Sequence, residues 1–123
     1  MIKGIGTDII EISRIKKAVG NKLFIDKHFT KKEKQLFEKR NWAITTIASN
    51  FAVKEAVSKV FGTGIRNFEL KEIEVLRDDL GLPYVCLYKR AKMIQDNLGI
   101  NKFFISTSHN KENAVAFVVG EGD

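Results

Sequence analysis

The sequence predicts an α+β fold: a largely antiparallel sheet packed against a long central helix, in a single domain spanning residues 1–123. Three observations lead there. After an opening strand, segments of helical period run as far as Gly64, and segments of strand period joined by turns follow it. The stretch Asn50–Ile65, NFAVKEAVSKVFGTGI, sets Val53, Ala56, Val57 and Val60 at the i, i+3, i+4, i+7 spacing of one helix face. A chain of this length buries roughly two-thirds of its unfolded surface, enough for one core.

The elements follow in order. Ile2–Ile12 alternates, with Ile5, Thr7 and Ile9 on one face and Gly4, Gly6, Asp8 and Ile10 on the other, which reads as a strand. Gly4 and Gly6 leave room there for a close backbone approach. Ser13 is expected to cap a basic helix running to about Val19 and closed by Gly20 and Asn21. Phe24–Phe29 reads as a short apolar connection. Thr30 and Glu33 form a T-x-x-E capping box that opens a helix over Lys31–Arg40. Asn41–Ser49 is apolar enough to be buried and is expected to continue into the Asn50–Phe61 helix, with Gly62-Thr63-Gly64 as its stop. On that helix Lys54, Glu55, Ser58 and Lys59 are assigned to a polar stripe. Leu70–Leu76 and Tyr84–Tyr88 read as a hairpin with a long tip through Gly81 and Pro83. Lys89–Leu98 reads as a short amphipathic helix ended by Gly99. Phe103–Ser108 and Ala114–Gly120 form a second hairpin around His109–Asn113.

Composition bounds the function. Twenty-one Lys and Arg against 15 Asp and Glu leave a net charge of +6, which favours an anionic partner. The basic segment Lys31–Arg40 is interspersed with Glu and lacks interleaved aromatics, so nucleic-acid binding is not expected. Cys86 is the one cysteine and sits in an alternating apolar stretch, where it is expected to be a small core residue. No disulfide or cysteine-rich zinc site follows, no apolar run reaches membrane-spanning length, and a cytoplasmic protein is expected.

The residues that carry chemistry are Asp8, Glu55, Lys59 and His109. Asp is disfavoured inside a strand, so Asp8 asks for a reason beyond a strand-end cap. Glu55 and Lys59 lie one helical turn apart; they form either a solvated ion pair or a carboxylate for a metal beside an ammonium for a phosphate. His109 stands where a strand opens into a polar loop, as a solvated residue or as part of a site. Two carboxylates without a Cys/His cluster suit a hard cation such as Mg2+, which completes its octahedron with water and phosphate oxygens. The lysine would then neutralise those phosphates as a point charge.

Three segments occur together in order: Gly4-Ile5-Gly6-Thr7-Asp8-Ile9-Ile10-Glu11; Phe51-Ala52-Val53-Lys54-Glu55-Ala56 through Gly62-Thr63-Gly64; and Ile105-Ser106-Thr107-Ser108-His109 with Ala114-Val115-Ala116. With the chain length they resemble the holo-acyl-carrier-protein synthases, the small bacterial 4'-phosphopantetheinyl transferases, over essentially the whole chain. The resemblance implies a 4'-phosphopantetheinyl transferase-like fold. It implies Mg2+-dependent transfer of phosphopantetheine from coenzyme A to a serine of apo-acyl carrier protein, with release of adenosine 3',5'-bisphosphate. It implies that Asp8 and Glu55 bind the metal, that Lys59 lies near the phosphates, and that Glu55 and Lys59 serve the chemistry. It places Lys59, His109, Gly62 and Pro83 around coenzyme A, and Arg14 on a basic helix that docks the acidic carrier protein. It further implies a homotrimer with sites between protomers, the hairpin tip at Gly81 and Pro83 reaching a neighbour. The serine proton goes either to a metal-bound water or to a free carboxylate oxygen, of which Glu55 is the better candidate. The chain departs from the family at Asn50, where many members carry Arg for an anion or carrier-protein contact; Arg40 and Lys39 are the candidates to replace it. Two other classes stay open on sequence grounds: a small basic nucleic-acid-binding module, and a non-catalytic partner-binding protein.

Overall fold

The computed structural model describes residues 1–62 and 67–123. The elements in chain order are β1 (Ile2–Glu11), α1 (Ile12–Ala18), α2 (Lys22–His28), α3 (Lys31–Lys39), α4 (Ile44–Val60), β2 (Ile73–Arg77), β3 (Pro83–Leu87), α5 (Lys89–Asn97), β4 (Lys102–His109) and β5 (Asn113–Glu121). A 3₁₀ turn at Leu70–Glu72 leads into β2. The strands form two antiparallel sheets rather than one: β1-β5-β4, and the β2-β3 hairpin. Among the described residues, no helix is long and apolar enough to cross a membrane.

The alternation of β1 sets which side faces the core. Gly6 and Ile10 are buried on its inner face, while Ile5, Thr7 and Ile9 are exposed on the other. The inner face lies directly on α4. A methyl group added at Gly6 would stand 1.9 Å from the Ala56 carbonyl oxygen, and one at Gly4 2.5 Å from that of Val60. Such contacts are sterically forbidden, so the two glycines allow the strand and helix backbones to touch, as the sequence suggests. Ala114, Ala116 and Val118 of β5 continue the same buried face.

The 17-residue α4 joins the two predicted segments into one central helix. Twelve of its residues are buried, on all sides, so it is not an amphipathic helix with a solvated stripe. Lys54 and Ser58 are the clearest corrections, both inside the protein. Lys54 Nζ donates to Glu33 Oε1 at 2.7 Å, to the Leu70 carbonyl at 3.0 Å and to the Ile73 carbonyl. Three acceptors match the three donors of an ammonium, which is how a cation survives there. Burial still pushes Lys54 down and Glu33 up, each towards its neutral form, and their attraction opposes this.

The earlier helices differ in their starts. α1 is preceded by Glu11 with no side-chain cap, so Ser13 is not the cap residue. The stretch read as an apolar connection is mostly α2, opened by Asn21, whose Oδ1 accepts from the Leu23 amide at 3.0 Å. Asn21 was assigned to the end of the preceding helix, and it opens the next one instead. The capping box at Thr30 and Glu33 is complete. Gly62 follows α4 with φ +77, the left-handed conformation of a helix stop. Thr63 and Gly64 of the predicted stop lie outside the described residues. Cys86, expected in the core, is half-buried on β3 opposite Glu74.

Candidate active site

The contact between β1 and α4 builds the site. Asp8 projects from mid-strand on the inner face and is half-buried, ruling out a strand-end cap. Gly6, two residues earlier, lies against Ala56, so Asp8 is brought beside the next turns of α4. Lys59 Nζ donates to Asp8 Oδ1 at 3.3 Å and to the Thr7 carbonyl at 2.8 Å. Lys59 therefore pairs with the strand, not with Glu55 as a simple i,i+4 pair would require.

Glu55, also half-buried, completes the group. Burial raises its carboxyl above the ordinary value, the negative charge of Asp8 raises it further, and Lys59 opposes this. Asp8 is raised as well: burial outweighs the Lys59 hydrogen bond and the charges of Lys59 and Arg14. Two half-buried carboxylates repelling each other with a single ammonium between them form an electrostatically incomplete set. That set fits a hard dication, whose charge would relieve the repulsion and whose remaining ligands come from water or substrate oxygens. Among the described residues, no group of three or more His, Cys, Asp or Glu side chains gathers to hold a metal by itself.

Arg14 is exposed on α1, near enough for its charge to act on Asp8. Gly62 follows on the same helix, its amide donating to the Lys59 carbonyl at 3.0 Å. His109 is exposed at the end of β4, in register with Ala114 of β5 and, through it, with Ile10 of β1. That places it two strand spacings from β1, on the order of 10 Å. Pro83 begins β3, in the other sheet. One chain thus brings Asp8, Glu55 and Lys59 together, with Arg14 and Gly62 alongside, and leaves His109 and Pro83 on other elements.

Asn50 does not face this site. It is fully buried, its Nδ2 donating to Glu33 Oε2 at 3.1 Å and to the Val75 carbonyl at 2.9 Å. One neighbour of the site escaped the sequence reading: the Thr7 carbonyl, a backbone acceptor, leaves no trace in residue identity. Phe51, one turn before Glu55, is half-buried against Phe24 at 5.7 Å and His28 at 5.9 Å between ring centroids.

A small α+β scaffold here sets two carboxylates and a lysine on one strand–helix contact, a donor set suited to a hard cation beside an anionic group. The chain belongs to the 4'-phosphopantetheinyl transferase superfamily, whose family model matches residues 4–118. It is 55% identical over 117 residues to a holo-[acyl-carrier-protein] synthase of Alkaliphilus oremlandii, an alignment covering 94% of this chain and 96% of that one. Its fold superposes on the holo-[acyl-carrier-protein] synthase of Neisseria meningitidis with a TM-score of 0.90 at 32% identity, over 98% of this chain and 99% of that one. It also superposes on the Bacillus anthracis synthase, solved in complex with coenzyme A (3',5'-ADP), with a TM-score of 0.82 at 36% identity, over 100% and 99% of the two chains.

Proposed function

We propose that this protein transfers 4'-phosphopantetheine from coenzyme A to a serine hydroxyl of apo-acyl carrier protein and releases adenosine 3',5'-bisphosphate. The observation that carries the site assignment is the meeting of Asp8 and Lys59 across the β1–α4 contact, with Glu55 one turn away. Asp8 and Glu55 are the residues that would hold Mg2+. When bound, that ion supplies positive charge to the pyrophosphate of coenzyme A. Lys59 Nζ, half-exposed and held by Asp8 and Thr7, needs only a rotation of its flexible stem to meet a phosphate oxygen. Its charge then opposes the negative charge that develops as the phosphoryl bond breaks. An oxygen of the Glu55 carboxylate left free beside the metal accepts the serine proton in this reading.

Arg14, with Lys16 and Lys17 on the same short helix, gives the carrier protein a basic approach beside Asp8. His109, Gly62 and Pro83 complete the coenzyme A pocket, and a homotrimer brings His109 and Pro83 to a carboxylate pair. Support for that assembly lies on the outer face of the β1-β5-β4 sheet, where Ile5, Ile9, Phe104 and Phe117 are 60%, 66%, 46% and 45% exposed. Half-buried Val115 and Val119 lie among them in register. A contiguous apolar face of this kind on a small protein marks an interface.

The test is a transfer assay with coenzyme A, apo-acyl carrier protein and Mg2+, read by the mass the carrier gains. The unaltered chain should load the carrier, and Asp8→Ala and Glu55→Ala should each lose transfer at least a hundredfold, as removal of a transition-state charge partner does. Normal turnover of either variant in chelator would remove that residue from the metal site. No mass gain on any carrier protein of the same cell would overturn the function itself.

A further inference from the structure

Lys54 and Lys59 share α4 and are held in opposite ways. The Lys54 ammonium is sealed from solvent and meets three acceptors. Lys59 has 52% of its side chain exposed and meets two, the Thr7 carbonyl at 2.8 Å and Asp8 Oδ1 at 3.3 Å. Its third N–H finds no acceptor among the described residues. The two bonds are unequal. An ammonium–carboxylate hydrogen bond is ordinarily the shorter kind, about 2.7–2.9 Å, so the Asp8 contact is slack and the neutral carbonyl is the firmer anchor. The ammonium can leave Asp8 by turning about Thr7.

Asp8 is the scarcer partner. Its side chain is only 17% exposed, and Gly6 of the same strand is pressed against Ala56, so the carboxylate has little room to turn. Lys59 in this position cancels part of the negative charge that Asp8 and Glu55 present together. An ammonium and a hard dication on the same carboxylate would repel each other at contact distance, where a partly buried pair is poorly screened. The two cations therefore compete for Asp8.

We propose that Lys59 is a resident cation which a divalent metal displaces from Asp8, and that a phosphate-bearing ligand drives the exchange by taking the lysine. The inference rests on the transferase reading above, with the pyrophosphate of coenzyme A as that ligand. Thr7 keeps the ammonium at the site throughout, so the exchange needs a turn of one side chain and no backbone movement. Metal and coenzyme A then bind cooperatively, and each strengthens the other by the same factor, as linkage requires. The site withholds its full negative charge until the phosphates arrive.

The probe is Mn2+, which suits oxygen ligands and whose free fraction is read by electron paramagnetic resonance. It is titrated into the whole chain without carrier protein, so that no turnover occurs, with and without saturating coenzyme A. The Mn2+ that coenzyme A holds by itself is subtracted. Coenzyme A should tighten Mn2+ binding about tenfold. Lys59→Met should bind Mn2+ alone about tenfold tighter than the parent, and coenzyme A should tighten it less than it tightens the parent. Arg14→Met removes a charge that reaches Asp8 without a hydrogen bond, and should shift Mn2+ binding by no more than about twofold. Mn2+ binding unchanged or weakened in Lys59→Met, or a coupling undiminished there, would overturn the exchange. Equal gains in the two variants would reduce it to simple repulsion and overturn it as well. The expected coupling without transfer to any carrier protein would sustain the exchange and overturn the transferase reading. Transfer by a chain in which Mn2+ and coenzyme A bind independently would overturn the exchange and leave that reading intact.

Discussion

His28 titrates inside an aromatic cluster that packs on α4. It packs edge-on to Phe24 at 4.8 Å and to Phe51 at 5.9 Å, and Phe51 shares a helix face with Glu55. Burial first, then the charges of Lys27 and Lys54, hold its imidazole below the ordinary 6.5, against the pull of Glu69. The unfolded chain takes the proton near 6.5 and the folded chain only at lower pH. Between those values the unfolded state binds more protons, so stability rises with pH across the window, and the penalty is gone above 6.5. His28→Phe keeps the aromatic contacts and removes the titration. Its melting temperature should exceed the parent's by a margin that grows as the pH falls from about 7 to about 5. Parallel curves in thermal denaturation would show that His28 titrates alike in both states. Other side chains give no such local sign of their state. Lys54 looks in sequence like a neighbour of Glu55 and Lys59 on one polar stripe. Its burial follows from Glu33 and the Leu70 and Ile73 carbonyls, supplied by other segments.

At the scale of elements, the β1–α4 contact decides where the site forms. Gly6→Ala would put a methyl carbon 1.9 Å from the backbone oxygen of Ala56, which no side-chain rotation can relieve. The strand must lift off the helix, and Asp8 moves away from Lys59 and Glu55 with it. The variant should lose about 1–3 kcal/mol of stability and most of its transfer rate. Chemical denaturation and the mass assay check the two effects, and full activity at unchanged stability would show that the contact does not position Asp8. The alternation of β1 and its glycines made a close backbone approach legible beforehand, but not that α4 makes it. The capping box of α3 and both hairpins were legible for the same reason, since each is written in near neighbours, although Leu70–Glu72, read as the start of the first hairpin's strand, forms a 3₁₀ turn instead. The start of α2 was not, because Asn serves equally at a helix end and a helix beginning, and the packing of Ile25 decides between them.

For the whole molecule, the assembly proposed above rests on the outer face of the β1-β5-β4 sheet. Phe117 lies on the middle strand, between Thr7 and Ser106 in register and 45% exposed. Phe117→Lys places a charge at the centre of that face without touching the core, which lies on the other side of the sheet. Analytical ultracentrifugation should show the mass of a trimer fall to that of a single chain, with transfer lost and circular dichroism retained. A variant that stays assembled, or a parent that is a single chain and still active, would show that the apolar face is not the interface.

By itself the sequence determined what depends on spacing along the chain: the α+β class, the strand alternation and the helix stop at Gly62; it also offered Asp8, Glu55 and Lys59 as candidates. These are local, since period, turn chemistry and side-chain type are properties of neighbouring residues. Only the tertiary structure decided which of those residues meet. Lys59 could face Glu55 on its own helix or Asp8 on a strand 51 residues away, and both choices are written in the same letters. The close approach that two glycines permit brings the strand within reach, and the ammonium then finds two oxygens there, Asp8 Oδ1 and the Thr7 carbonyl. Asn50 and Lys54 turned inward for a related reason. A helix packed on all sides has no solvated stripe, so its polar groups persist only where other elements bring hydrogen-bond partners to them.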